Sequence, residues 1–217
     1  MSQHTLWLLR IKYKKLKEKL NVSDSKKLFH EQFPYVIPGL YKKIVDEILV
    51  ELNLLNHQNE FKQDYLFCIG LTETFKEFTK GYKPEDHLDQ LFESMCSSTN
   101  FKAKEIKEVA QKSQENFKGK SLKELLQLLK EKSNSKLYPS RILNLGIYTL
   151  FSNTQDFKVG NESDRNKMTS NIFENLNLPI SKAEKDIGIY KSSISKLEQA
   201  KELIEEQRIK DKKIDKK

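Results

Sequence analysis

Residues 41–55 constrain this chain more than any other stretch. Tyr41, Ile44, Val45, Ile48, Leu49, Leu52 and Leu55 recur at intervals of three and four, one face of an α-helix. Lys42, Lys43, Asp46, Glu47 and Glu51 fall off that stripe, while Val50 and Leu54 add an apolar pair on the far side. A helix apolar on two sides is expected to pack between neighbours rather than lie on a surface. Its neighbours should be helices too. The 217 residues include only 7 Gly and 5 Pro, with abundant Lys, Glu, Leu and Ile, which favours helix throughout. Hydrophobic residues at 37% and aromatics at 10% suffice to fill a bundle core.

The remaining segments predict further helices. Ser23 or Asp24 caps a short helix reaching about Gln32. Residues 33–39 are extended, because each Pro disfavours the α region in the residue before it. Asp64 caps a helix over 65–80, apolar nearly all round and so the most buried element, with Gly81 as its left-handed stop. Pro84 opens the first turn of a helix that turns Leu88, Leu91, Phe92, Met95 and Cys96 inward. A charged helix over 101–117 carries a thin stripe of Ile106, Val109, Ala110 and Phe117 and ends at Gly119. Ser121 with Glu124 forms a capping box for a Leu-rich helix to about Lys132, followed by a loop over 133–136. Pro139 starts an apolar helix to Phe151. Gly70 and Gly146 lie inside helices, where Gly costs about 1 kcal/mol against Ala; close helix–helix approach is the expected reason. Residues 153–163 read as the longest loop. Met168, Ile172, Phe173 and Leu176 mark a short helix, and Ser181 with Glu184 a second capping box that opens the last one. The expectation is an all-α chain: a single bundle of about eight helices over 22–200, with a long C-terminal helix. Residues 1–21 form a basic extension, and 201–217 a charged helix end and tail.

Nothing in the sequence assembles into chemistry. There is no G-x-x-x-x-G-K-[ST], no G-x-G-x-x-G and no G-x-S-x-G. His4, His30, His57 and His87 are scattered and have no metal-ligand spacing. Cys68 and Cys96 lie in apolar helical patterns and read as buried, reduced thiols; a disulfide is the alternative, and implies an oxidising compartment. Asp46, Glu47 and Glu51 share a helix with Lys42 and Lys43 and read as a solvated, salt-bridged face. Asp24 and Arg141 read as a helix cap or ion-pair member. No nucleophile, base and orienting group come together, so the expectation is no catalytic residue, no cofactor and no metal.

Charge concentrates at the ends. The formal net charge is +8. Residues 1–19 carry six Lys/Arg against one Glu, and 208–217 six against two Asp, leaving the body at −1. A nucleic-acid-binding module needs a basic face on its folded part; with basic termini alone it stays a second reading. Basic ends also remain solvated or touch anionic lipid and acidic proteins. Leu6, Leu9, Tyr13, Leu16 and Leu20 recur at helical spacing. They fit an amphipathic helix lying on a membrane, or an extension upstream of the true start, with Leu16 read from an alternative start codon. The positive charges follow the short apolar run, unlike a signal peptide, and no run approaches the roughly 20 apolar residues of a membrane span.

The last helix differs from the others. Ile187, Tyr190, Ile194, Leu197 and Ile204 keep a narrow a/d-like, coiled-coil seam with Lys201 in the missing place. Two readings fit: a packed helix with a frayed end, or an arm that docks another protein's helix. In the second, Leu197, Leu203 and Ile204 are the anchors, and Glu198, Glu205 and Arg208 set orientation.

Five blocks also resemble a known family in order. Residues 41–51, YKKIVDEILVE, followed by Asn53-Leu54-Leu55, resemble the signature segment of the thylakoid formation protein family, the photosystem II biogenesis protein of oxygenic phototrophs. Val22-Ser23-Asp24-Ser25-Lys26 looks like its opening. Phe78 to Glu85, FTKGYKPE, is similar to its F-x-x-G-Y-x-P-E. Tyr138 to Gly146 is similar to its Y-S-R-L-x-x-x-G, with Pro139 inserted, and Tyr190 to Ala200 resembles its Y-[RK]-S-[NS]-[LI]-x-K-[ML]-x-Q-A. The likeness runs from 22 to 200. It implies a non-enzymatic accessory factor in photosystem II biogenesis and repair and in thylakoid organisation. The implied partners are an FtsH-type thylakoid protease complex and photosystem II assembly intermediates, with no small-molecule substrate and no nucleic acid. The implied location is peripheral, on the cytoplasmic face of the thylakoid, with a soluble cytoplasmic pool.

Overall fold

Among the described residues every regular element is helical. The computed structural model describes residues 20–132 and 137–214, without the side chains of Lys132, Arg208 and residues 210–214. The expected N-terminal amphipathic helix and the loop over 133–136 therefore lie outside the described residues. Within the described residues ten helices run in order: α1 Val22–Gln32, α2 Gly39–His57, α3 Tyr65–Phe78, α4 His87–Ser98, α5 Ala103–Phe117, α6 Leu122–Lys132, α7 Arg141–Ser152, α8 Gln155–Val159, α9 Glu162–Asn175 and α10 Ile180–Ile214. They divide into two compact units, where the sequence suggested one body.

The first unit holds the described residues through Lys62 together with Gly81–Lys107. Here α1, α2 and α4 pack on one another. The α2 stripe is buried at Tyr41, Val45, Ile48, Leu49, Leu52 and Leu55. Its far side is not: Val50 is half-buried and Leu54 exposed, because the neighbours of α2 cover one face only. Asn53 is the polar exception inside the stripe. Its Nδ2 donates to Ser25 Oγ and to the Leu20 carbonyl, both at 2.7 Å, and so pins the entry to α1. Lys26 meets Asp46 at 3.1 Å, and Lys43 approaches Glu47 at 4.0 Å, the salt-bridged face the spacing suggested. Asn21, not Ser23 or Asp24, caps α1: its Oδ1 accepts from the Asp24 amide at 2.9 Å, while its Nδ2 donates to Asp24 Oδ2. Pro84 lies ahead of α4 rather than in its first turn. The Lys83–Pro84 peptide is cis, and the Pro84 and Glu85 carbonyls accept from His87 and Leu88 in tight turns.

The second unit comprises Gln63–Lys80 and the described residues from Glu108 onward. Its centre is the α3–α7 pair. Residues 66–71 of α3 are buried without interruption, as a helix apolar nearly all round demands. The two mid-helix glycines face each other there. A Cβ on Gly70 would overlap the Ile142 carbonyl oxygen and stand 2.9 Å from the Gly146 nitrogen; one on Gly146 would overlap the Leu66 carbonyl oxygen. Asp64 caps α3, accepting from the Phe67 amide at 2.8 Å, and Gly81 and Gly119 both take φ of +76°. Ser121 and Glu124 form the expected box: the Ser121 amide donates to Glu124 Oε2 at 2.8 Å.

Two expectations for this unit fail. Residues 153–163 are not a loop. Thr154 caps α8 by accepting from the Phe157 amide, and Asn161 caps α9 by accepting from the Asp164 amide. Both caps are side chains common in loops as well as at helix starts, so polarity alone misled. The second capping box is also absent. Glu184 Oε1 accepts from Ser170 Oγ at 2.7 Å, joining α9 to α10 instead of closing on Ser181.

Candidate docking surface

The packing of α10 stops before the helix does. Ala183, Ile187 and Leu197 are buried, and Tyr190 and Ile194 half-buried, against α7, α3 and α9. Two polar ties fix its first half. Asn144 Nδ2 on α7 donates to Asp186 Oδ2 at 2.8 Å, and Lys182 Nζ donates to the Pro139 carbonyl at 2.5 Å. Phe78 meets Tyr190 edge-on at 5.5 Å, and Lys191 Nζ stands 5.3 Å over the Tyr148 ring. Burial first, then Glu77, Tyr148 and Glu73, push the Tyr190 hydroxyl well above its usual range, so it stays neutral and can sit in the seam.

Lys201 occupies the seam position where an apolar residue is missing. Burial lowers its pKa, and Lys80 adds to that, while Glu198 and Glu77 act the other way. Beyond it every described side chain is exposed. Leu203 is 61% and Ile204 42% exposed, and Ile209 also faces solvent.

The six candidate residues therefore separate. Leu197, at 5% exposure, is part of the fold and is not presented to a partner. Glu198 lies on the exposed side of the same turn; Leu203, Ile204 and Glu205 lie on the projecting half. The Arg208 side chain lies outside the described residues. Ile209 was missed as an anchor because it breaks the seam spacing.

Other places offer less. Cys68 and Cys96 are free and buried, and burial holds the Cys68 thiol up at about 12, far from a reactive thiolate. An open cleft of about 850 Å³ lies between the α5–α6 turn and the α7–α8 turn. Its carboxylates already serve backbone amides: Asp156 Oδ2 accepts from the Leu122 amide at 3.1 Å, and Glu124 from Ser121. Among the described residues no group of three His, Cys, Asp or Glu is placed to hold a metal ion, and no helix is long and apolar enough to cross a membrane.

A helical fold with a projecting C-terminal arm, and no chemistry assembled among the described residues, defines a binding factor. The family model for the thylakoid formation protein matches residues 21–217. Protein Thf1 of Prochlorococcus marinus strain MIT 9312 is 79% identical over 198 residues, covering 91% of this chain and 98% of that one. Protein Thf1 of P. marinus subsp. pastoris strain MED4 is 69% identical over 202 residues, covering 93% and 100%. The solved structure of Psb29 at 1.55 Å shares 26% identity with a TM-score of 0.79, over 91% of this chain and all of that one. The chain belongs to the thylakoid formation protein family, whose members are accessory factors of thylakoid formation and photosystem II biogenesis.

Proposed function

We propose that this chain acts without chemistry of its own, by holding an FtsH-type membrane protease complex in its assembled form at the cytoplasmic face of the thylakoid. The observation that carries the reading is the division of α10 at Lys201. One half is fixed to the second unit, and the other offers Leu203 and Ile204 to solvent among charged neighbours. An exposed helix with a few apolar anchors engages a partner helix in a groove, the anchors supplying affinity and the charges orientation. Glu198 and Glu205 are the orienting groups on the described side. Membership of the family supports the setting, and photosystem II assembly intermediates are the clients such a complex would handle.

The test is Leu203→Glu with Ile204→Glu in cells that contain thylakoids. Because both side chains are exposed, the double variant should accumulate and melt as the natural chain does. Co-purification of the protease should fall at least about tenfold, as expected when buried apolar anchors are replaced by charge. Full recovery of the protease by a stably folded double variant would move the partner surface elsewhere.

A further inference from the structure

The backbone leaving α1 carries an apolar point that the first unit does not use. Phe33 is buried and stacks on Phe29 at 5.9 Å. Pro34, Tyr35 and Val36, which follow, are exposed, Val36 by 90%. The point is nevertheless held. The Tyr35 ring lies 3.8 Å from the His87 ring at an interplanar angle of 25°, and it meets Phe33 edge-on at 5.3 Å. Pro38 closes the segment, its carbonyl accepting from the Tyr41 and Lys42 amides at the start of α2. A β-branched side chain fixed almost wholly in water contributes nothing to the packing beneath it.

We propose that this tip is a lipid contact: Val36, flanked by Pro34 and the outer edge of Tyr35, enters the headgroup boundary of an anionic membrane surface. The proposal rests on the peripheral location given above and names the atoms that would make it. Size favours lipid over protein. One Val and part of a Tyr fall far short of the roughly 800 Å² per partner of a stable protein interface, whereas a bilayer needs no shaped complement. Residue type agrees, since the amphipathic Tyr ring suits a membrane–water boundary. Charge agrees as well. Lys42 and Lys43 are exposed in the first turns of α2, directly behind the tip. The nearby acids are Glu31, Glu85 and Asp86, and Glu85 is paired with Lys83. Residues 1–19, with six Lys/Arg against one Glu, lead into α1 of the same unit. A small apolar insertion is marginal alone and becomes stable with a basic second signal.

The full chain carries one Trp, Trp7. With Trp7→Phe and Val36→Trp, the indole reports on the tip directly. Its emission should shift to the blue by about 10 nm or more with vesicles of about 30% phosphatidylglycerol in phosphatidylcholine. In the otherwise natural chain, Val36→Asp should reduce co-sedimentation with those vesicles at least about tenfold, with an unchanged melting temperature. Co-sedimentation with emission still at its water-exposed wavelength would overturn the tip as the contact while leaving peripheral association standing. Absence of co-sedimentation by the natural chain would overturn both. A blue shift produced by the protease complex in detergent, without vesicles, would replace lipid by protein as the occupant.

Discussion

Gly70 and Gly146 show how much one hydrogen atom can decide. Each faces backbone rather than the end of a flexible side chain, so an added methyl cannot be relieved by a rotamer change. Gly70→Ala should destabilise the chain by about 1–3 kcal/mol or more in urea unfolding, the usual cost of overpacking a tight core. Gly188→Ala is the control. A Cβ there meets nothing within 4 Å, so it should stabilise by up to about 1 kcal/mol through helix propensity alone. The need for small residues at 70 and 146 was legible, because a glycine inside a strongly apolar helix weakens that helix unless close packing offsets the loss. Asn53 was not. Its amide sits among apolar residues of one helix and bonds to Ser25 and Leu20, partners about 30 positions away that no local pattern reveals. Burial also sets a pH limit on α3. It raises the Tyr65 hydroxyl from 10.0 and the Cys68 thiol from 9.0, each to about 12. A raised folded value means the stabilising protonated form is fully present below the unfolded value and is lost as pH rises through the folded one. The melting temperature should therefore fall between about pH 9 and 12. Tyr65→Phe combined with Cys68→Ala should flatten that fall.

At the scale of the element, α10 is one helix with two roles set by what lies beside it. The thinning of its apolar stripe was visible in the sequence, and so was the point where packing ends. The anchors were less legible, because spacing alone grouped Leu197 with Ile204, and only the neighbouring helices separate the two. Leu197→Glu should lower thermal stability by about 2–5 kcal/mol in unfolding free energy, the range for disrupting a buried aliphatic site. The Leu203→Glu, Ile204→Glu pair should change it by no more than about 0.5 kcal/mol. Similar losses in both would show that the projecting half is packed. Short elements were the least legible. A five-residue helix such as α8 has too few positions to show a period, and its Thr154 cap is also an ordinary loop residue. Capping boxes divide the same way. Ser121 and Glu124 closed on each other, whereas Glu184 found a hydroxyl on α9 instead.

For the whole molecule, the all-helical class followed from composition and period, but the partition into units did not. Gln63–Lys80 belongs to the second unit although both flanking segments belong to the first, and no linker composition marks the crossing. Function follows the same rule. The described residues hold no assembled chemistry that the sequence overlooked, and what remains distinctive is the surface they project: a rigid apolar tip on one unit and a half-free helix on the other. The family resemblance supplied the setting, while the structure supplied the places at which to test it. The most direct measurement is affinity purification from thylakoid-containing cells of a chain ending at Lys201, beside the full-length chain. Both should accumulate with the same melting temperature, since every described side chain beyond 201 is exposed. The full-length chain should bring down the FtsH-type protease and the shortened chain should not. Equal recovery by the two would contradict docking through the C-terminal arm.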